Sequence, residues 1–227
     1  MLTDYHSHLL PGIDDGAKNV TESLNIINKL REQGIERIVA TPHFYSHNES
    51  FQSFLERRQI AFDTLQRNNP PIPVIMGAEI YLNKGLSSQE GLEKLSVGAD
   101  QYLLLELPWS PFRPWIMEEI CNIQYQFNVI PMIAHLNRYL GSYSPKEIEQ
   151  ICSISGAVIQ INNEAFLERK SIKFVQDLVK NGYPVVFGSD THNMLTRAPD
   201  FDVAFLTLKS KFKKEYDSLM ALNESLI

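Results

Sequence analysis

Residues able to bind a metal recur in this sequence at the ends of apolar runs. His6 and His8 stand two apart in Asp4-Tyr5-His6-Ser7-His8, where an extended backbone would turn both imidazoles to one face. The turn that follows, Pro11-Gly12-Ile13-Asp14-Asp15-Gly16, carries two carboxylates to the same place. Asp15 is the expected ligand, and Asp14 a supporting or helix-capping group. Five later fragments repeat the pattern: Ala40-Thr41-Pro42-His43, Gly77-Ala78-Glu79, Leu104-Leu105-Glu106, Ile133-Ala134-His135 and Gly188-Ser189-Asp190-Thr191-His192. Taken singly, each histidine could be an ordinary polar residue at a strand end. Glu79 and Glu106 are harder to set aside, because a carboxylate ending an aliphatic run is costly to bury unless a metal or cation meets it. Five of the six histidines occupy this one niche.

So many ligands exceed the needs of one ion. A bridging carboxylate such as Glu79 would allow two or three divalent ions about 3.5–4 Å apart, the spacing suited to in-line displacement at phosphorus. Imidazole and carboxylate ligands without cysteine suit manganese, iron or zinc; the residues do not decide among them, and manganese is the first expectation. Cys121 and Cys152 are far apart and in helical segments, and neither begins a Cys-x5-Arg phosphate loop. They read as small thiols of a reducing cytoplasm, with no disulfide.

Short β-rich runs at Leu2–His6, Arg37–Thr41, Val74–Ile80, Tyr102–Leu107, Ile130–Ala134, Ala157–Ile161 and Pro184–Gly188 would position these residues. Amphipathic stretches alternate with them near Thr21–Gln33, Phe51–Gln66, Pro114–Gln126, Pro145–Ser153 and Ser171–Asn181, followed by a tail helix from Phe201 to about Leu226 that would close the barrel wall. Ser144-Pro145 with Glu147 signals a helix start, and Gly34 and Gly182 fit helix ends. Alternating strands and helices imply parallel βα units joined by right-handed crossovers. Ligands spread over nearly every strand favour a distorted seven-stranded (β/α) barrel, which gathers strand C-termini on one face, over an open doubly wound sheet. With 227 residues, 44% hydrophobic and 21% charged, the expectation is one α/β domain over 1–227. The net charge of −6 argues against a nucleic-acid binder. No apolar stretch reaches a membrane span and no secretory leader is visible, so the expected location is the cytoplasm.

Together, His-Ser-His-Leu-Leu-Pro-Gly-Ile-Asp-Asp-Gly (6–16), Ala-Thr-Pro-His (40–43), Gly-Ala-Glu-Ile-Tyr (77–81), Leu-Leu-Glu-Leu-Pro (104–108), Ile-Ala-His-Leu-Asn-Arg-Tyr (133–139) and Gly-Ser-Asp-Thr-His-Asn (188–193) resemble the polymerase-and-histidinol-phosphatase (PHP) superfamily. More narrowly, they resemble its bacterial tyrosine-protein phosphatases of capsule and exopolysaccharide export. The resemblance implies a trinuclear metal centre held by His6, His8, Asp15, His43, Glu79, Glu106, His135, Asp190 and His192. Arg138, and a second arginine at Arg197, would face the substrate phosphate. Leu136-Asn137 departs from the Pro-Glu pair common at that place. The implied partner is a tyrosine autokinase with a phosphorylated tail. Asn162 and Tyr45 are expected to line the pocket, with Phe44, His47, Trp109, Phe112 and Trp115 as candidates for an aromatic entrance. Rival readings are a phosphatase of histidinol phosphate or a sugar phosphate, a hydrolase of carbon–nitrogen bonds, and a metal-binding regulator without turnover.

Overall fold

The computed structural model describes residues 1–227. Nine short parallel strands take the place of the seven expected runs: β1 (Thr3–Ser7), β2 (Arg37–Ala40), β3 (His43–Phe44), β4 (Val74–Met76), β5 (Glu79–Tyr81), β6 (Tyr102–Glu106), β7 (Ile130–Ile133), β8 (Val158–Asn162) and β9 (Val185–Gly188). One of the runs, Val74–Ile80, is broken, and another, Arg37–Thr41, is followed by an extra short strand. Pro42, which has no N–H to donate, separates β2 from β3, and Gly77-Ala78 separates β4 from β5. β1, β2 and β4 form one sheet; β3, β5, β6, β7, β8 and β9 form a second, in that order. The breaks join the two sheets, because the Gly77 N–H donates to Ala40 O (2.8 Å) and the Glu79 N–H to Pro42 O (3.0 Å).

The circle closes between the first and last strands without a regular ladder. The Asp190 N–H donates to His6 O (2.7 Å), the His8 N–H donates to Thr191 O (2.9 Å), and Ser7 pairs with Thr191 in an isolated bridge. Below this seam the buried Asp4 carboxylate accepts from the Ser189 N–H (2.9 Å) and Oγ–H (2.6 Å). Burial outweighs those bonds and pushes Asp4 up to about 7.

Helices α1 (Val20–Glu32), α2 (Phe51–Gln66), α3 (Trp115–Phe127), α4 (Pro145–Cys152), α5 (Arg169–Lys180), α6 (Phe201–Lys211) and α7 (Tyr216–Ser225) complete the fold. Ser144 and Glu147 make the reciprocal cap expected at α4, and Gly34 and Gly182 take positive φ just past α1 and α5. Fifty buried residues form the larger apolar cluster, which takes in strand and helix positions; nine more, among them Tyr5, Val39, Leu104, Met132 and Val186, form a second cluster built chiefly from strand residues. The tail differs from the expected single helix. It breaks at Phe212, which is buried against Phe166, and α7 packs against the second cluster through Leu222. Asn223 fixes α7 there: its carbonyl accepts from the Tyr5 hydroxyl (3.1 Å) and its Oδ1 accepts from the Phe187 N–H (2.9 Å). No helix is long and apolar enough to cross a membrane.

Candidate metal centre

Strand ends and the turn carrying Asp15 bring all nine expected ligand positions together. His6 lies in β1 with His8 just beyond it; His43 opens β3, Glu79 opens β5, Glu106 ends β6, and His135, Asp190 and His192 lie just past β7 and β9. A one-residue register shift between Asp4 and Ser7 re-aims β1, as bulges do, so that Tyr5 joins the apolar interior while its neighbour His6 reaches Gln160. The absence of a side chain at Gly188 admits this approach: a Cβ there would fall 2.6 Å from the His6 Cβ.

Glu79 is central. Its Oε2 lies 2.9 Å from His43 Nδ1, 3.2 Å from His6 Nε2 and 3.3 Å from His8 Nε2, and its Oε1 lies 2.8 Å from His135 Nε2. Asp190 Oδ1 is 3.3 Å from His8 Nε2 and 3.5 Å from His6 Nε2. Asp15 Oδ1 is 3.3 Å from His192 Nε2 and 3.4 Å from His43 Nε2. Four overlapping groups result, each with its ligand atoms within 4.8 Å of one another: His8-Asp15-His43-His192, His6-His8-Asp190, His6-Glu79-His135 and His43-Glu79-Glu106.

The hydrogen bonds around the imidazoles test whether this set suits cations. Gln160 Oε1 accepts from the His135 backbone N–H (2.7 Å), so it can face His6 Nδ1 (3.1 Å) only as an acceptor, and the proton of His6 sits on Nδ1. His8 Nδ1 donates to Asp14 Oδ2 (2.8 Å) in the same way. When both rings are neutral, as metal-ligating imidazoles are, they point Nε2 lone pairs at each other across 3.0 Å. His192 Nδ1 donates to the Asp190 carbonyl (3.0 Å), which aims its Nε2 lone pair at the Asp15 carboxylate. Lone pairs facing lone pairs repel unless positive charge lies between them. Glu79 Oε2, His43 Nδ1, His135 Nδ1 and His192 Nε2 are buried without a hydrogen-bond partner. The donor set therefore fits divalent cations, with the outer ring nitrogens of His6, His8 and His192 oriented as metal-ligating histidines usually are.

Without a cation between them, the carboxylates draw protons onto the two innermost imidazoles. Burial opposes a charged His8, yet Asp14, Asp190 and Glu79 outweigh it and hold the ring well above its usual range. His6 is raised likewise, burial being overcome by Glu79 and Asp190. Burial would raise Glu79 and Asp190, but the histidines keep both well below the carboxylate range. Glu106 goes the other way, pushed up to about 7 by burial and by Glu79. The centre calls for positive charge among its carboxylates.

A family model for capsular polysaccharide synthesis, CpsB/CapC, matches residues 2–226. The chain belongs to the CpsB/CapC family. It is 27% identical to the tyrosine-protein phosphatase CpsB of Streptococcus pneumoniae, over 93% of this chain and 91% of that one. Identity is also 27% to the tyrosine-protein phosphatase YwqE of Bacillus subtilis (strain 168), over 100% of this chain and 91% of that one. The fold is similar to a crystal structure from the pair YwqE of Bacillus subtilis and CpsB of Streptococcus pneumoniae, described as unique metal-dependent tyrosine phosphatases; the TM-score is 0.75 at 24% identity, covering 96% and 91% of the two chains. A lactonase, Lmo2620 of Listeria monocytogenes, shares the fold at TM-score 0.60 and 11% identity, over 98% of this chain and 91% of that one.

In this CpsB/CapC chain, both expected arginines converge on Asp190. Arg138 Nη1 and Arg197 Nη2 each lie 2.7 Å from its Oδ2. Glu164 grips Arg138 from the other side, at Nε (2.5 Å) and Nη2 (3.0 Å), which leaves one N–H free on each Nη for another oxygen. Asn162 departs from its expected place on the pocket wall: it is buried, donating to Asp190 Oδ2 (3.0 Å) and accepting from Gln160 Nε2 (2.9 Å). Asn137, in the departing Leu136-Asn137 pair, accepts from the Asn162 N–H (3.0 Å) and braces the same strand end. Tyr45 does stand beside the cluster, 5.1 Å from the His43 ring. Phe44 is instead packed in the core on Phe54, Phe112 lies on Tyr143, and Trp115 lies near Lys84. Gln160 and Glu164 escaped the sequence reading; the one signal for Gln160 is a polar residue in the middle of the apolar run Val158-Ile159-Gln160-Ile161. A cavity of about 700 Å³ lies between α4 and α5 beside Ile148, Cys152 and Phe174, and none of the nine residues lines it. Cys121 and Cys152 are unpaired, and burial pushes the Cys152 thiol up to about 12, far from a nucleophile's range.

Proposed function

We propose that this chain is a metal-dependent protein-tyrosine phosphatase of the cytoplasm. Its substrate would be the phosphorylated tail of a tyrosine autokinase that controls capsule or exopolysaccharide synthesis. The observation that carries the reading is the pair of Nε2 atoms of His6 and His8, set face to face 3.0 Å apart among Glu79 and Asp190. Two or three divalent ions, manganese first and iron or zinc as alternatives, would be held by His6, His8, Asp15, His43, Glu79, Glu106, His135, Asp190 and His192. When bound, such ions supply a hydroxide at neutral pH and neutralise phosphoryl oxygens.

The chain's own groups do the rest. Asp14, Gln160 and the Asp190 carbonyl hold three imidazoles in the tautomer that presents Nε2 inward. Asp190 stays ionised under Arg138, Arg197 and Asn162 and is unsuited to donate a proton. Arg138 offers its remaining N–H pair to phosphoryl oxygens, a task to which a planar guanidinium is better matched than an ammonium. Arg197, about a third exposed, stands beside it to do the same. A tyrosinate leaving group, of parent pKa about 10, departs with little protonation, so no dedicated general acid is required.

Elemental analysis of the purified protein alongside a phosphoester panel tests this. The expected result is bound divalent metal, hydrolysis of phosphotyrosine peptides abolished by a chelator and restored by Mn²⁺, and slower hydrolysis of histidinol phosphate and sugar phosphates. Metal-loaded protein that prefers those alkyl esters makes it a small-molecule phosphatase. Metal-loaded protein that hydrolyses nothing makes it a binding protein.

A further inference from the structure

We infer that Trp109 is the specificity-determining residue for the aryl half of the substrate, in a mouth with one aromatic side and one cationic side. The inference rests on the phosphotyrosine reading above. Trp109 is anchored on two sides. Its Nε1–H donates to Glu106 Oε1 (3.1 Å), and its ring stacks on Tyr139 (4.9 Å between centroids, 18° between planes) and alongside His135 (5.8 Å, 19°). Tyr139 is itself buried, and its hydroxyl donates to Leu107 O. An indole fixed in this way would be expected to disappear into the core. Trp109 remains 49% exposed, directly beside two of the nine clustered residues. The uncovered part is a rigid flat surface offered at the site, and placing a ring against it costs little conformational entropy.

Tyr45, 5.1 Å from His43 and 5.6 Å from Tyr81, extends the aromatic side near the same cluster. The guanidinium groups reach the cluster by another residue, Asp190. Phosphate and ring are thus recognised by different elements. A phosphotyrosine would set its phosphoryl group toward Arg138 and Arg197 and its ring toward Trp109, whereas an alkyl phosphate would gain nothing from the indole.

The experiment compares kcat/KM for a phosphotyrosine peptide with that for the same peptide carrying phosphoserine, in metal-loaded wild type, Trp109→Leu and Trp109→Phe. The ratio should fall about tenfold in Trp109→Leu, mostly through KM for the aryl substrate, the upper range for one aromatic contact. Trp109→Phe should keep the ratio within about twofold, since the ring survives and only the bond to Glu106 is lost. An unchanged ratio in Trp109→Leu, against an intact wild-type aryl preference, overturns the role of Trp109 alone. A wild type with no aryl preference overturns the phosphotyrosine reading itself, before any variant is made.

Discussion

The deep and the outer parts of the metal-binding cluster are built differently. His6, His8, Glu79, His135 and Asp190 are all buried, and most have a partner on the side facing away from the cluster: Gln160 for His6, Asp14 for His8, and Arg138, Arg197 and Asn162 for Asp190. The outer group closes on Asp15, whose side chain is 64% exposed, and on His43 at 16%. Asp15 comes from a turn, and its contacts are to the imidazoles of the site and, at 3.9 Å, to Arg197. A low-dielectric pocket of pre-oriented ligands holds a cation firmly, while a half-wet carboxylate interacts through screened charge. The difference predicts that retention would belong to the floor of the site and exchange with solvent and substrate to its rim.

Substitutions can break that contrast. At the floor, His6→Ala or Asp190→Ala should remove metal and lower kcat/KM by about a thousandfold or more, a loss of about 4 kcal/mol. Arg138→Ala should keep its metal in elemental analysis while losing about a hundredfold in kcat; wild-type behaviour would remove Arg138 from substrate binding. One layer back, Gln160→Leu touches no expected ligand atom yet frees the His6 tautomer and strands the His135 N–H. It should weaken metal retention by about 10–100-fold in chelator competition, with circular dichroism unchanged. At the rim, Asp15→Asn should cost at most about tenfold in kcat/KM. If Asp15→Asn is as damaging as His6→Ala, floor and rim are one unit and the contrast fails.

Much of this was legible because metal-ligand residues at strand ends carry two signals at once, a chemical type and a place in an apolar pattern. The helices were read to within a few residues, helped by Ser144, Glu147 and the glycines after α1 and α5. What escaped depends on partners across the fold. Gln160 looks like an isolated polar residue until His6 and His135 arrive on either side of it. Asn162 sits at a strand end as a pocket residue would, and only the position of Asp190 turns it inward. The β1 bulge is invisible to a period-2 pattern, since its register is set by β2. In the tail, a continuous helical rhythm concealed the break at Phe212, where burial against Phe166 wins over local propensity.

The closure between β1 and β9 gives the cluster a mechanical meaning. His6 and His8 belong to the beginning of the polypeptide, Asp190 and His192 to a strand end almost two hundred residues later, and only a few backbone bonds tie the two edges. A cation gripped from both edges would work as a clasp on the weakest line of the wall. Fraying of the amino-terminal strand and escape of the ion would then be one event, so the enzyme's lifetime in metal-poor surroundings would be governed by how often that hem comes undone.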